Sequence, residues 1–332
     1  GVAEARIKDE SGRFGLGSFK ALGGAYAVAN LLAAELSRRG DARSATSEAL
    51  ENGGYADTTR AITVTCATDG NHGRSVAWGA RRFHCKCVIF VHETVSEGRV
   101  DAIARFGADV VRVPGNYDDS VREAERQARA NGWFVVSDTS YPGYTEVPRD
   151  VMQGYRVMAD EAADDWTGPP PTHVFIQAGV GGAAAAVSVQ LRARFDPAPL
   201  LVVVEPEHAA CLLASAKAGV LTVVPGRLET IMAGLACGEP SQLAWQELER
   251  AAFAFMSIPD DAAILCLRRL AAEGITIGES GVGGLAGLLL AAGDPTVRDK
   301  LRLTGESRIL LFGTEGVTDP QMYQNLLGSR QS

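Results

Sequence analysis

Three short segments of the 332-residue chain contain residue types that can bind an anion or transfer a proton. Lys20 follows Ser18 and Phe19 among small and apolar side chains, where a buried amine can attack a carbonyl carbon. Residues 68–73 read Thr-Asp-Gly-Asn-His-Gly, and residues 177–183 read Gln-Ala-Gly-Val-Gly-Gly-Ala. Taken singly, each has an ordinary explanation: a solvated surface lysine, a capped helix start, or a tight strand-to-helix turn.

The glycine-rich segment predicts a binding site for one phosphate group. Glycines let the backbone wrap around an anion, and the N-terminus of the following helix supplies unpaired N–H groups. The spacing Gly-x-Gly-Gly differs from the dinucleotide pattern because Ala184 stands where that pattern has its third glycine, and no Walker lysine follows. The pattern fits a mononucleotide-like phosphate, such as that of pyridoxal phosphate.

Two acidic residues follow predicted strands and could act as general bases. Asp69 lies in the segment 68–73, where Asn71 can bond a ring hydroxyl and free N–H groups can hold a carboxylate. Asp138 lies in the segment 137–144, which reads Ser-Asp-Thr-Ser-Tyr-Pro-Gly-Tyr. An Asx-turn is the alternative explanation for Asp138, and simple packing at the helix start is the alternative for His72.

The elements that position these residues alternate between strand and helix patterns. Such alternation predicts right-handed crossovers, and hence an α/β fold with two doubly wound parallel sheets. Ligands of these sheets bind beyond the carboxyl ends of the strands, where the segments lie. The predicted strands are 61–65, 88–91, 110–113, 133–136, 174–176, 201–204 and 309–312, and the predicted helices are 71–82, 96–106 and 117–130, with a long amphipathic stretch at 145–163.

Composition argues against several classes of protein. The net charge is −8 with scattered Lys and Arg, which disfavours a nucleic-acid surface. No apolar run approaches the roughly 20 residues needed to cross a bilayer, and the first residues do not have signal-peptide form, so we expect a cytoplasmic protein. The histidines and the six cysteines show no metal spacing, so we expect no metal site. Cys211 and Cys237 are the only candidates for a disulfide, which a reducing compartment disfavours.

The order and spacing of the three segments resemble the serine/threonine dehydratase, threonine synthase and cysteine synthase superfamily. The resemblance covers nearly the whole chain and implies the tryptophan synthase β-like fold (fold type II), with pyridoxal 5'-phosphate bound to Lys20 as a Schiff base. It also implies two three-layer domains. Residues 1–42 plus 155–332 would form the large domain and residues 43–154 a small inserted one, with cofactor and substrate between them.

Two departures from that superfamily sharpen the resemblance. Dehydratases and synthases typically carry a serine or threonine where this chain has Asp69, and Asp138 adds a second acid. Together with Thr314-Glu315-Gly316, these residues resemble the diaminopropionate ammonia-lyase family. The resemblance implies a carbon–nitrogen lyase that converts D- and L-2,3-diaminopropionate to pyruvate and two ammonia, with Asp138 serving the L-form and Asp69 the D-form.

The same resemblance assigns the remaining site residues. It leaves open whether Thr314 or Glu315 faces the ring nitrogen, and the segment 279–281 is expected to contribute another loop. We expect a homodimer that acts on a small amino acid. The cofactor-binding residues would be Lys20, Asn71, Gly179, Val180, Gly181, Gly182 and Thr314, the substrate-binding residues Asp69, Gly70, His72 and Asp138, and the catalytic residues Lys20, Asp69 and Asp138.

Two other functions remain open at this stage. One is a serine/threonine dehydratase-like lyase of the same fold, and the other is a small-molecule-binding module without catalysis. The preference between D- and L-substrate and a dependence on a monovalent cation are also open. Only nineteen residues precede Lys20, and they lack the Thr-Pro-Leu-like turn usual in the superfamily, so a trimmed or missing first segment is a further open question.

Overall fold

The computed structural model describes residues 1–42, 44–68 and 70–328. These residues form nine strands, fourteen α-helices and three short 3-10 helices. The strands are β1 (Glu4–Asp9), β2 (Thr63–Ala67), β3 (Lys86–His92), β4 (Asp109–Val113), β5 (Phe134–Val135), β6 (His173–Gln177), β7 (Leu200–Pro206), β8 (Ala252–Ile258) and β9 (Arg308–Gly313). The helices are α1 (Lys20–Arg39), α2 (Ser47–Glu51), α3 (Ala56–Thr59), α4 (Asn71–Arg82), α5 (Glu97–Ala104), α6 (Tyr117–Asn131), α7 (Glu146–Asp164), α8 (Gly182–Arg194), α9 (Cys211–Ala218), α10 (Gln242–Ala251), α11 (Asp260–Ala272), α12 (Gly283–Gly293), α13 (Pro295–Lys300) and α14 (Pro320–Gly328).

The chain divides into two compact units, and the first contains residues 1–19 and 155–332. Its parallel sheet has the strand order β1-β9-β6-β7-β8. All five residues of β6 are buried, because the central strand is covered on both faces. Phe175, Val202 and Leu311 lie in an apolar core of this unit. The continuous apolar runs of the sequence therefore mark the strands at the centre of the sheet.

The second unit contains residues 20–154. Its parallel sheet has the order β4-β3-β2-β5, with a helix between each pair of consecutive strands. Val88 and Phe90 of β3 pack with Ala124 of α6 in the core of this unit. The two parallel sheets confirm the predicted α/β fold class.

The unit boundary differs from the predicted domain boundary at residues 20–42. The family resemblance implies that these residues belong to the large domain, whereas α1 belongs to the second unit. The physical reason is close packing of α1 on α4. A Cβ atom at Gly79 would lie 2.8 Å from Ala25 Cα, and one at Gly24 would lie 1.9 Å from Ser75 Oγ. Glycine at both positions lets the two helices approach each other closely.

A search of the described helices finds none that is both long enough and apolar enough to span a membrane.

Candidate active site

Lys20 and Asp138 are in direct contact within the second unit. Lys20 is the first residue of α1, and Asp138 lies three residues beyond the end of β5. The Lys20 Nζ atom donates a hydrogen bond to Asp138 Oδ2, although 118 residues separate the two in sequence. The side chains are 20% and 14% exposed. An amine and a carboxylate in such contact, mostly shielded from water, can exchange a proton or stabilise one another's charge.

The pKa of Asp138 is set by opposing influences. Burial alone would raise this pKa, but the ammonium of Lys20 and the nearby His72 lower it well below its usual range. Asp138 is therefore ionised across the neutral range. An ionised carboxylate beside the amine is the form that can accept a proton from a substrate carbon.

Asp138 lies at the topological switch point of its sheet. The chain runs from β2 outward to β3 and β4, and β5 then pairs with the other side of β2. The loops that follow β2 and β5 are therefore neighbours, and ligands of open α/β sheets bind at this position. The strand order explains why the segment after β2 and Asp138 come together.

His72 and Tyr144 fix the backbone that leads to Asp138. His72 Nε2 lies 2.7 Å from the Val136 carbonyl oxygen, so this nitrogen carries the proton and donates it. The other ring nitrogen, His72 Nδ1, lies 3.8 Å from Asp138 Oδ2. The Tyr144 hydroxyl accepts from the Ser137 N–H at 3.0 Å and donates to the Val135 carbonyl at 2.9 Å. The contact of Tyr144 with this backbone was not predicted from the sequence, although its position shortly after Asp138 in the same loop could have suggested it.

The segment after β2 begins α4 as expected. The Thr68 hydroxyl accepts hydrogen bonds from the Gly70 and Gly73 N–H groups, at 3.0 and 3.1 Å. A Cβ atom at Gly73 would lie 2.3 Å from Thr68 Cγ2, so glycine is needed there. Asn71 is the first residue of α4, and its Oδ1 accepts from Arg74 at 2.7 Å. Asp69, a predicted catalytic residue, lies outside the described residues.

The glycine-rich segment of the first unit connects β6 to α8. Gly181 adopts a φ of +97°, a conformation that L side chains rarely take. A Cβ atom at Gly179 would lie 3.2 Å from Cys237 Sγ. No side chain caps α8, so the N–H groups of its first turn and of Val180 and Gly182 are available to an anion. This cradle fits a phosphate group.

The switch point of the first sheet brings Thr314 beside the glycine-rich segment. β6, β7 and β8 run outward in order, and β9 returns to the other side of β6. Gln177 ends β6 and Thr314 follows β9, and Gln177 Nε2 lies 2.7 Å from Thr314 Oγ1. The Thr314 carbonyl also accepts from the N–H of Phe19, the residue before Lys20, at 3.0 Å. Sequence analysis assigned no role to Gln177, although a polar residue ending an apolar strand was a usable signal.

Glu315 is directed toward the loop at 278–281. Its Oε1 accepts from the Ser280 N–H at 3.1 Å, and its carbonyl accepts from the Gly278 N–H at 2.8 Å. A Cβ atom at Gly281 would lie 2.9 Å from the Glu315 carbonyl oxygen. Glu315 thus holds this loop against the residues that follow β9.

Cys211 and Cys237 both lie close to Gly179 and are not joined by a disulfide. Cys211 Sγ donates to the Gly179 carbonyl at 3.5 Å, and burial raises the pKa of this thiol. A search for three or more metal-binding side chains in one place finds none among residues 1–42, 44–68 and 70–328.

Each unit by itself offers groups that suit pyridoxal phosphate. In the first unit, the uncapped start of α8 after the left-handed Gly181 offers N–H groups to a phosphate, and Thr314 offers a buried hydroxyl. In the second unit, Lys20 offers a primary amine in contact with Asp138.

Comparison with known proteins agrees with this chemistry. The family model described as "Pyridoxal-phosphate dependent enzyme" matches residues 1–314. The chain is 41% identical over 338 residues to the diaminopropionate ammonia-lyase of Escherichia coli strain K12, with 98% of this chain and 83% of that protein covered.

Solved structures of the Escherichia coli diaminopropionate ammonia lyase are similar as well. The selenomethionine holo form matches with a TM-score of 0.90 at 38% identity and covers 99% of this chain and 84% of that chain. The complex with an aminoacrylate-PLP azomethine reaction intermediate matches with a TM-score of 0.86 at 37% identity, covering 99% and 84%. The chain belongs to the diaminopropionate ammonia-lyase family of pyridoxal-phosphate dependent enzymes.

Proposed function

We propose that the chain removes ammonia from C3 of 2,3-diaminopropionate, with pyridoxal phosphate held by Lys20. The products are pyruvate and two molecules of ammonia. The observation that carries this proposal is the contact of Lys20 with the ionised carboxylate of Asp138. It places a proton acceptor beside the amine that would hold the cofactor.

Each part of the cofactor has a proposed partner in the chain. Residues 179–182 would hold its phosphate, Asn71 would lie near its phenolic oxygen, and Thr314 would bond its ring nitrogen. When bound, pyridoxal phosphate supplies a ring that withdraws electrons from Cα of the amino acid. The uncapped N-terminus of α8 and the left-handed Gly181 support the phosphate assignment.

Asp138 accepts the Cα proton of the L-substrate in this proposal. Its Oδ2 takes the proton, and the two electrons of the Cα–H bond form the Cα–Cβ double bond. The Cβ–N bond breaks with its electron pair on nitrogen, which leaves as ammonia because the amino group is protonated beforehand. Carboxylates near the substrate favour that ammonium form, whereas a serine hydroxyl gains no such advantage.

Asp69 would take the corresponding proton from the D-substrate, and Gly70 and His72 would line the substrate site. After elimination, Lys20 displaces 2-aminoacrylate, and water converts this enamine to pyruvate and the second ammonia. His72 supports Asp138 through the Val136 carbonyl rather than by taking the substrate proton itself.

The test measures turnover of each diaminopropionate enantiomer and, in separate assays, of L-serine, D-serine and L-threonine as alternative substrates. Pyruvate is measured by coupling to lactate dehydrogenase and ammonia in a parallel assay. We expect two ammonia for each pyruvate from diaminopropionate, against one from serine. Faster turnover of serine or threonine would identify a dehydratase, and a protein with no cofactor absorbance and no turnover would be a binding module.

We also propose a cytoplasmic homodimer. Exposed apolar side chains of the first unit, Val220, Leu289 and Leu290, support association with a second copy. Light scattering after size exclusion should give twice the chain mass of 35.0 kDa, and a monomer mass would contradict the dimer. Fractionation of cells that express the protein should place it in the cytoplasmic fraction.

A further inference from the structure

Gln177 is a buried amide at the proposed cofactor site, and the proposed function gives it no role. It ends β6, is 2% exposed and precedes the glycine-rich segment. Buried polar groups are retained where their hydrogen bonds are satisfied. The partners of Gln177 therefore indicate what it does.

The orientation of the Gln177 amide is fixed by three backbone groups. Its Nε2 lies 3.0 Å from the Gly281 carbonyl oxygen and 2.8 Å from that of Phe312. Its Oε1 accepts from the Gly284 N–H at 3.1 Å. Exchanging nitrogen and oxygen would set Oε1 against two carbonyl oxygens and the NH₂ group against an N–H. The nitrogen must therefore face Phe312 and Thr314.

This orientation determines how the Thr314 hydroxyl is bonded. Gln177 Nε2 lies 2.7 Å from Thr314 Oγ1, which is closer than either carbonyl oxygen. An amide nitrogen donates hydrogen bonds and does not accept them, so Thr314 is the acceptor in this contact. The two N–H hydrogens of Gln177 serve three acceptors, so one hydrogen is shared between Thr314 Oγ1 and a carbonyl oxygen. The hydroxyl hydrogen of Thr314 is therefore directed elsewhere.

We propose that Gln177 is a positioning residue that directs the Thr314 hydroxyl hydrogen toward the ring nitrogen of pyridoxal phosphate. A hydroxyl that accepts from Gln177 and donates to the ring requires the ring nitrogen to act as an acceptor. The ring nitrogen is then unprotonated, because a hydrogen on that nitrogen would face the hydroxyl hydrogen of Thr314 and neither could accept the other. The choice between Thr314 and Glu315 follows, since the Glu315 carboxylate accepts from the Ser280 N–H.

This inference rests on the proposed function, because it requires the cofactor at this site. It explains why a residue with both an amide donor and an amide acceptor stands at position 177. The acceptor bonds the start of α12 through Gly284, and the donor orients Thr314. A residue that only filled space would satisfy neither group.

Gln177→Glu is the main test because it preserves the shape of the side chain and removes both N–H hydrogens. We expect the cofactor dissociation constant, measured by equilibrium dialysis, to rise about tenfold, as for loss of one good hydrogen bond. We also expect a changed visible absorption spectrum and a changed pH dependence of that spectrum. Thr314→Val should produce the same changes, whereas Thr314→Ser keeps the hydroxyl and should retain the affinity and spectrum of the unmodified protein. The double variant Gln177→Glu with Thr314→Val should show no larger change than either single variant.

Gln190→Glu provides the matched control. Gln190 is a second buried amide of the same unit, bonded to Arg156 and Asp160. This variant can lower the unfolding temperature of the cofactor-free protein but should leave the spectrum unchanged. If Gln177→Glu does not fold, Gln177→Asn gives the second test, because its shorter side chain cannot reach Thr314.

The outcomes separate this inference from the proposed function. If the unmodified protein loads the cofactor and Gln177→Glu leaves both spectrum and affinity unchanged, the role of Gln177 is overturned while the lyase proposal stands. A wild-type spectrum in Thr314→Val would also overturn it. If the unmodified protein shows no absorbance of a lysine-bound cofactor, both proposals fall.

Discussion

The hydrogen bond from Lys20 Nζ to Asp138 Oδ2 links the start of α1 to the loop after β5. Both side chains are mostly shielded from water, and the positive charge of Lys20 lies directly against the negative charge of Asp138. Removing the Lys20 amine would leave the shielded carboxylate of Asp138 without this ion pair. The proposed cofactor amine and the proposed base are therefore coupled, and variants of either must be interpreted with the partner in mind.

The first prediction concerns Lys20 as the cofactor lysine. Lys20→Ala should abolish the visible absorption of a lysine-bound cofactor, because no other amine is proposed for this role. Circular dichroism should show a folded protein, and Lys20→Ala combined with Asp138→Asn should regain stability lost through the unpaired carboxylate. An unchanged spectrum and unchanged activity in Lys20→Ala would refute the assignment.

The second prediction concerns Asp138 as the base for L-substrate. Asp138→Asn should retain the cofactor yet lose about 10² to 10⁴ in kcat for L-diaminopropionate, the usual contribution of a correctly placed general base. Asp109→Asn, at the opposite end of the same sheet, is the control and should retain full turnover. A loss of only two- or threefold in Asp138→Asn would rule out the role.

The third prediction concerns acid stability. The folded-state pKa of Asp138 lies below its unfolded value of about 3.9, so the unfolded state binds the proton more readily. The stabilisation is fully present above that value and is lost as the pH falls through the folded-state pKa. The difference in unfolding temperature between the unmodified protein and Asp138→Asn should therefore shrink as the pH falls from 5 to 3. A difference that stays constant over this range would contradict the lowered pKa.

The buried strands could be predicted from the sequence because both of their faces are covered. The run at 174–176 predicts β6, and the pattern at 71–82 predicts the bounds of α4 as the structure has them. Two strands were missed. β1 is an edge strand with charged, half-exposed side chains, and β8 directly follows α10 and pairs with β7 across a register shift. The apolar pattern of β1 is weak because the strand carries charged residues, whereas the residues of β8 are almost all apolar but follow α10 with no turn residue between them.

The site could be predicted only in part. Glycine spacing and polar loops after strands identified the segments 68–73 and 177–183, because those features are local. The pairing of Lys20 with Asp138 depends on β5 lying beside β2, which no local pattern encodes. The hydrogen bonds of Gln177 likewise depend on β9 lying beside β6. Local sequence patterns therefore could not show which strands are neighbours, and the contacts of Asp138 and Gln177 depend on that order.

The fourth prediction concerns the phosphate cradle. Gly181→Asp should greatly weaken cofactor binding, because it adds a negative charge where backbone N–H groups meet a phosphate. Gly181→Ala separates charge from strain. Its Cβ would meet Ala244, Leu212 and Leu248 at 3.1 to 3.2 Å, and its left-handed backbone costs roughly 1–2 kcal/mol. Equilibrium dialysis should show a much larger loss for Asp than for Ala, and normal retention in Gly181→Asp would move the phosphate site elsewhere.

The last prediction concerns Asp69 and the stereochemistry of the substrate. If Asp69 accepts the Cα proton of the D-form, Asp69→Asn should reduce kcat/KM for D-diaminopropionate far more than for L-diaminopropionate, and Asp138→Asn should show the opposite preference. The two variants are their own matched controls, because each removes one carboxylate and keeps the shape. Equal losses on both enantiomers in Asp69→Asn would make Asp69 a holder of the β-ammonium group. In that case Asp69→Asn should raise KM and leave kcat unchanged, and the rise should be largest at low pH, where the β-amino group of the free substrate is already protonated.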